Sequence, residues 1–321
     1  MSGTSLDGID CSLIKSDGVS YVNEISNEYI PYSDELQLKL HNVILKGYLA
    51  DIKVINQLNQ EYRDSINNFI KKNNLEIDLI AMHGQTVYHD QKTKISIQLF
   101  DKSIRFNTHS PIICNFRKND LLNGGNGAPI MPEFHRVLAN QLGLKKVIFV
   151  NIGGVTNITV IDNQKITAGD SSFGNAIVND LIYEKTKERF DVDGSLSNNG
   201  QKIDDLFKYI TSDEYFLENL PKSLDRNSFH KYLDNFIKER KLNNSIYTLL
   251  EVIPFAINSL ISSQSDFKII LMGGGRKNLT LQKIFKNYFN DVSLIDIYNM
   301  NGDFIESQGM AYLGIRYLLK K

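Results

Sequence analysis

The sequence has no tryptophan, six prolines and only two cysteines, Cys11 and Cys114. Two cysteines cannot build a disulfide framework in a chain of 321 residues, so a reducing cytoplasm is the natural setting. No apolar run approaches the roughly 18 residues that span a bilayer, and the opening MSGTSLDGID lacks the basic-then-apolar pattern of a secretory signal. No membrane partner is expected. Charge of one sign is missing as well: 36 basic residues face 37 acidic ones, for a net charge of −1. Nucleic-acid binders usually carry a basic excess, so none is expected as a partner. Lysine outnumbers arginine 27 to 9, which A/T-rich codon usage explains without function.

What is present fits a globular enzyme. Hydrophobic residues make up 42% and charged residues 23%. The length is twice the roughly 150 residues of a typical domain. Strand-like and helix-like segments alternate, which argues for an α/β class. Leu36, Leu40, Val43 and Ile44 recur at helical spacing after a Ser33-Asp34 start, and Ile55, Leu58, Tyr62, Ile66, Phe69 and Ile70 continue on a second helix. Strands are predicted over residues 77–82, 95–99, 111–116, 147–152, 157–161 and 269–272. Further helices are predicted over 175–189 and 245–262, from Leu279, and from Ile305 to the terminus. The run 191–199, rich in Asp, Gly, Ser and Asn, reads as a loop. A domain boundary is expected near 134–143.

Several segments could carry chemistry. Ser2-Gly3-Thr4-Ser5-Leu6-Asp7-Gly8-Ile9-Asp10 packs glycines, hydroxyls and carboxylates together. Glycines let backbone N–H groups approach an anion, hydroxyls add donors, and a nearby Asp can hold Mg²⁺ through water. The plain alternative is a flexible N-terminal loop. Gly153, Gly154 and Thr156 sit between two strands, as a phosphate cradle or an ordinary hairpin turn. Gly273, Gly274 and Gly275 follow a buried strand, where α/β sheets bind ligands. Asp170, between a strand and the helix opening at Asn175, suits a general base or merely a loop or capping Asp. His83 could touch a substrate or serve as a structural donor. The stretch from Asn123 through Gly127 to Pro129, preceded by Arg117 and Asp120, suits a substrate loop or an irregular connection. Glu306 reads as a first-turn glutamate favoured by the helix dipole. No zinc spacing, G-x-S-x-G elbow or Cys/His dyad stands out. These residues leave a kinase and a nucleotide-binding regulator both open.

Taken together and in order, the motifs resemble the anhydro-N-acetylmuramic acid kinase family of the actin/sugar kinase/heat-shock ATPase superfamily. They are MSGTSLDGID (1–10), MHGQT (82–86), FRKNDLLNGGNGAPIMPEFH (116–135), NIGGVTN (151–157), GDSSFGN (169–175), PKSLDRNSF (221–229), MGGGRKN (272–278) and DFIESQGMAYLGIR (303–316). The resemblance implies a two-domain, actin-like, ribonuclease H-like α/β fold with a cleft between the domains. Residues 1–135 with 305–321 would form one domain and 136–304 the other. It implies ATP and Mg²⁺ as cofactors and an anhydro-sugar as the small-molecule substrate. The sugar ring is opened with water and phosphorylated on its 6-oxygen, in peptidoglycan recycling; a homodimer is an open form of assembly. Asp170 would be the base that deprotonates water. Gly3, Thr4, Ser5, Leu6, Asp7, Gly8, Ile9 and Asp10, with Gly153, Gly154 and Thr156, would hold phosphates. Asp7 would reach Mg²⁺ through water, Gly273–Gly275 would border the adenosine, and His83, Asn123, Gly127, Asn175 and Glu306 would face the sugar.

Two departures from the family pattern carry expectations. Ser171-Ser172-Phe173 stands where the family has Thr-Gly-Pro, and Phe173 is expected to reshape the sugar pocket. The family also places a short strand ahead of the first phosphate loop, whereas this sequence starts at the internal Met. A start codon further upstream is therefore expected, and without that strand Leu13 and Ile14 would lack a neighbour and the loop would fray. A catalytically silent nucleotide-binding protein of the same fold, or a kinase for another sugar, would account for the same motifs.

Overall fold

The computed structural model describes residues 1–321 except 4–5, 47–48, 75, 91–92, 226–227, 237–239, 262–265 and 321, and gives only the backbone of 45 and 234–236. The chain divides into two compact units, Met1–Gln141 with Phe304–Lys321, and Leu142–Asp303. Among the described residues no helix is long and apolar enough to cross a membrane.

The first unit opens with β1 (Gly8–Ser16) and β2 (Val22–Pro31), followed by α1 (Asp34–Leu45) and α2 (Ile52–Asn73). Next come β3 (Ile80–Ala81), β4 (Gln85–Asp90), β5 (Ile95–Leu99), β6 (Ile112–Ile113), α3 (Phe116–Leu122) and α4 (Pro132–Gln141). Local chemistry sets the helix ends. Ser33 caps α1 by accepting from the Leu36 N–H, and Asp51 caps α2 by accepting from the Lys53 N–H at 2.8 Å. Asn74 closes α2 in the left-handed region, φ 49°. Leu36, Leu40, Leu58, Tyr62 and Phe69 then fall on the stripes that bury against β1 and β3 to form the core of this unit.

β1 and β2 pair antiparallel from Gly8↔Pro31 to Ser16↔Val22. Leu13 lies opposite Ser26 and Ile14 opposite Glu24, which corrects the expectation that these two residues lack a neighbour. β2 escaped the sequence reading because Val22, Ile25, Tyr29 and Ile30 fall at spacings of three, four and one and do not alternate with its polar residues. The strand expected over 111–116 shrinks to β6, because Asn115 takes a left-handed φ of 62° and starts α3.

The second unit contains β7 (Lys146–Ile152), β8 (Val155–Asp162), β9 (Lys165–Phe173), α5 (Asn175–Thr186) and α6 (Asp204–Thr211). It continues with α7 (Lys231–Phe236), α8 (Leu242–Leu260), β10 (Lys268–Met272), α9 (Leu279–Tyr288) and β11 (Val292–Leu294). The chain then returns to the first unit as α10 (Ile305–Leu318), which carries Gly314 against Ala81 of β3. Five strands form one sheet in the order β11-β10-β7-β8-β9. β7-β8-β9 is an antiparallel meander, and β10 and β11 add in parallel beside β7. Counted from β7, the order is 3-2-1-4-5, the ribonuclease H-like arrangement that the resemblance implied.

β7 and β10 lie inside this sheet, so their Val, Ile, Leu and Phe residues are buried on both faces. Ile148, Val150, Ile152, Ile269 and Leu271 join α5, α8 and α9 in one core. Each such side chain contributes about 1.5–3 kcal/mol on burial, so the carboxyl ends of β7 and β10 are rigidly placed. Two local expectations change. α5 ends at Thr186, not 189, because Lys187 turns left-handed with φ 66°. The 191–199 run is tied down: the Asp191 carboxylate accepts from the Leu196 N–H at 2.7 Å, and Thr280 donates to the Gly194 carbonyl at 3.0 Å.

Candidate active site

In the first unit the N-terminal loop is held at both ends. Met1 and Asp10 exchange backbone bonds, with the terminal amine donating to the Asp10 carbonyl at 2.7 Å and the Asp10 N–H to the Met1 carbonyl at 2.8 Å. Ser2 bridges to Gln85 of β4, and its buried hydroxyl accepts from Tyr32 at 2.9 Å and Tyr62 at 3.0 Å. Gln85 donates its side-chain amide to the Gly3 carbonyl at 2.6 Å. Burial pushes the Tyr62 hydroxyl up to about 12, so it stays a donor. At the far end, the Asp7 carbonyl accepts from the Tyr32 N–H at 2.9 Å and the Tyr29 hydroxyl at 3.0 Å.

Leu6 sits at φ 59° with its side chain in the core, and Ile9 is equally buried, so both could offer a ligand only backbone. Asp7 is exposed. Gly8 must be glycine: a Cβ there would lie 2.5 Å from the Ile30 carbonyl oxygen. Thr4 and Ser5 lie outside the described residues.

His83 is buried at the end of β3 and is paired on both ring nitrogens. Arg117 of α3 donates Nε–H to His83 Nε2 at 2.9 Å and Nη1–H to the Gly127 carbonyl at 2.9 Å. His83 Nδ1 lies 2.8 Å from the Gly84 carbonyl. Asp120 accepts from the Gly127 N–H at 2.7 Å and through its carbonyl from the Gly125 N–H at 2.9 Å. The His-Gly-Gln-Thr turn and the Gly-rich loop are thus one hydrogen-bonded cluster containing His83 and Gly127. Asn123 stays exposed at the end of α3, its amide donating to the Asn119 carbonyl at 2.7 Å. Glu306 is half-buried in the first turn of α10, beside Ser307, whose Oγ lies 2.5 Å from Ser12 Oγ of β1.

In the second unit, two glycine segments and the start of α5 meet at the carboxyl ends of β7 and β10. Gly153 and Gly154 form the β7–β8 turn, and their carbonyls accept from the N–H groups of Asn175 at 2.8 Å and Ala176 at 3.2 Å. The Asn175 amide donates to the Ile152 carbonyl at 3.2 Å. Gly273, at φ 74°, comes so close to Asn151 that a Cβ would lie 2.5 Å from its Oδ1. A Cβ on Gly275 would strike Ile152, whereas one on Gly274 would meet nothing within 4 Å. Gly153, Gly154, Asn175 and Gly273–Gly275 therefore share one surface, open at Gly274. Thr156 is fully buried between β7 and β9, its hydroxyl donating to the Phe173 carbonyl at 3.0 Å, so it braces the turn from within.

Asp170 lies within β9, not in a loop or a cap. Asn157 faces Asp170 and Thr156 faces Ser172, so Ser171 is the extra residue of a β-bulge. Its hydroxyl donates to the Thr156 carbonyl at 3.2 Å. The Asp170 carboxylate accepts from the Leu224 N–H at 2.8 Å. Phe173 is 1% exposed and packs on Phe229 with ring centroids 5.2 Å apart. It fills the core of this unit, which corrects the expectation that it shapes the sugar pocket.

Arg276 was missed by sequence reasoning. Its guanidinium is bidentate to Asp296 at 2.7 and 2.8 Å and reaches Asp303 at 2.6 Å and the Gly273 carbonyl at 3.0 Å. It fixes the glycine loop from below. The signal was a lone Arg after three glycines, with partners about 20 and 27 residues downstream. Gly174 was missed as well: a Cβ there would lie 2.4 Å from the Gly153 carbonyl oxygen.

A 3-2-1-4-5 sheet with a glycine turn after its first strand and a glycine loop after its fourth defines a ribonuclease H-like α/β protein. Within that class the chain belongs to the anhydro-N-acetylmuramic acid kinase family, whose profile matches residues 1–320. A relative of that name from Pelagibacter ubique is 34% identical over 349 aligned positions, covering 100% of this chain and 91% of the relative. One from Methylobacterium nodulans is 31% identical, covering 98% and 91%. Among solved structures, the activator of the 2-hydroxyisocaproyl-CoA dehydratase from Clostridium difficile with bound ADPNP overlays 99% of this chain and 94% of its own, at TM-score 0.44 and 11% identity. A likeness of that size adds nothing to the topology already described.

Proposed function

We propose that this chain is an ATP-dependent kinase that opens 1,6-anhydro-N-acetylmuramic acid with water and phosphorylates its 6-oxygen, giving N-acetylmuramic acid 6-phosphate and ADP. The observation that carries the reading is the family match over residues 1–320. The two framed glycine surfaces suit it. Without side chains, the glycines leave backbone N–H groups open to close approach by an anion.

Water adds its oxygen to the anomeric carbon while one of its protons passes to the Asp170 carboxylate. The bond from that carbon to O6 breaks. O6 takes the γ-phosphoryl group, the β–γ bridging P–O bond breaks, and ADP leaves; overall one proton is released. Phosphoryl transfer of this kind depends on positioning and on neutralising charge. Gly153 and Gly154, braced by Thr156, serve the phosphate side, with Gly3–Asp10 as the other phosphate loop. Gly273–Gly275 borders the adenosine. His83, Asn123, Gly127, Asn175 and Glu306 serve the sugar.

Among the described residues no group of three His, Cys, Asp or Glu could hold a metal by itself. Mg²⁺ keeps waters and takes phosphate oxygens with one or two carboxylates, so it needs no cage of protein ligands. Asp7, exposed on a backbone pinned by Tyr32, is the residue we assign to it. Bound there, Mg²⁺ would neutralise phosphate charge. Peptidoglycan recycling in the cytoplasm is the setting that matches these reactants.

The test is incubation with ATP, Mg²⁺ and the anhydro-sugar in ¹⁸O-labelled water, with mass spectrometry of the product. Sugar phosphate with ¹⁸O at the anomeric carbon is expected. Phosphate transfer to an ordinary hexose without label, or nucleotide binding without turnover, would replace this reading.

A further inference from the structure

β9 is the edge of the sheet, and residues 220–224 run beside it at Asp170. The Asp170 N–H donates to the Lys222 carbonyl at 2.8 Å. In the parallel ladder that this bond starts, the Leu224 N–H would go to the Asp170 carbonyl. It goes instead to Asp170 Oδ2 at 2.8 Å, and the Asp170 carbonyl accepts from the Tyr215 hydroxyl at 2.6 Å.

Tyr215 is itself held. Lys222, 6% exposed, donates Nζ–H to the Tyr215 carbonyl at 2.7 Å and lies 4.1 Å above its ring. Gly169 makes the approach feasible, since a Cβ there would lie 2.7 Å from the Lys222 carbonyl oxygen. Burial and the Asp170 charge push the Tyr215 hydroxyl well above its ordinary range, so it remains a donor.

We propose that Tyr215, pinned by Lys222, is a positioning residue for Asp170: by occupying the Asp170 carbonyl it frees the Leu224 N–H to grip the carboxylate. The grip fixes the direction of the carboxylate and favours its ionised, proton-accepting form. This inference rests on the reading of Asp170 as the base.

The experiment is a pH profile of kcat with ATP, Mg²⁺ and the anhydro-sugar for wild type, Tyr215→Phe, Lys222→Met, Asp170→Asn and the Tyr215→Phe/Asp170→Asn double variant. Tyr215→Phe keeps the ring against Phe216 and Phe229. It should lower kcat about tenfold near neutral pH and move the acid limb up by about one pH unit, the worth of one backbone donor to a carboxylate. KM for ATP should not move, and the loss should vanish in the Asp170→Asn background. An acid limb that stays in place, or a loss that persists without the Asp170 carboxylate, overturns the positioning role and leaves the base reading standing. Full turnover in Asp170→Asn overturns the base reading, and this inference with it. Should Tyr215→Phe fail to fold, Lys222→Met carries the same two readouts.

Discussion

Arg117 and His83 are joined by one hydrogen bond of 2.9 Å, from Nε of the guanidinium to Nε2 of the imidazole. A guanidinium only donates, so His83 Nε2 must be the acceptor, and Nδ1 carries the proton given to the Gly84 carbonyl. The ring is therefore neutral. Burial first, and the Arg117 charge second, hold its pKa well below the ordinary histidine value. The histidine expected to touch the sugar is committed on both nitrogens, and Arg117 is the group that commits it.

Removing that donor leaves a buried acceptor unsatisfied, which costs about 1–3 kcal/mol. Arg117→Met should lose stability of that order in urea denaturation and raise KM for the sugar more than KM for ATP. Arg117→Lys keeps the charge but not the fork that also reaches Gly127, and should restore little. Unchanged stability and KM in both variants would remove this cluster from the sugar side.

Three buried or half-buried histidines predict acid sensitivity. Burial holds His135 down to about 3 and, with the Arg117 charge, His89 down to about 4, while His83 also lies well below 6.5. Unfolded histidines titrate near 6.5, so below that pH the unfolded chain binds protons the folded chain refuses. The sign is a loss of stability as pH falls from about 6.5 toward each folded value. Urea midpoints should drop between pH 7 and pH 5. His135→Phe, which cannot titrate, should flatten that slope, and an unchanged slope would clear His135.

Adjacent glycines separate packing from ligand binding. A Cβ at Gly275 would lie 2.3 Å from Ile152 Cγ2, while one at Gly274 would meet nothing within 4 Å. Gly275→Ala should lower stability by about 1–3 kcal/mol through overpacking. Gly274→Ala should leave the melting temperature within a degree or two, yet raise KM for ATP several-fold if a purine lies on this loop (a shift of about 1 kcal/mol). An unchanged KM would move the nucleotide away from Gly274.

Much of this is legible in the sequence. Ser33 and Asp34 announced α1, the Ile55–Ile70 spacing gave α2, and the apolar runs ending in Gly153 and Gly273 were β7 and β10. These are local signals of period and punctuation. What could not be read was set by distant partners. Asp170 looked like a loop residue, and only the bulge opposite Thr156 and Asn157 keeps it inside a strand. Phe173, judged by its place in a motif, was assigned to a pocket, although Phe229 draws it into the core. Arg117 is visible as part of a motif, but its bond to His83 is not, and Arg276 carries no pattern of its own, because its acceptors come from other segments.

Arg276 gives the sharpest test of how the glycine loop is held. Its guanidinium is 4% exposed, while its partners Asp296 and Asp303 are 41% and 31% exposed. Breaking a fully buried pair by deleting one partner costs about 3–5 kcal/mol; with both carboxylates reaching solvent, about 2 kcal/mol is expected here. Arg276→Met removes the charge, and Arg276→Lys keeps it but cannot serve Asp296 in bidentate fashion and reach Asp303 and the Gly273 carbonyl together. Both should lower the urea midpoint, and both should raise KM for ATP, because Gly273 loses its anchor while its neighbours lose none. Gly302 lies against the same guanidinium: a Cβ there would lie 2.4 Å from Arg276 Nε, so only glycine fits while Arg276 is in place. If Arg276→Lys restores stability but not KM, the fork is needed to shape the loop. If it restores both, charge alone suffices and the fork geometry is incidental.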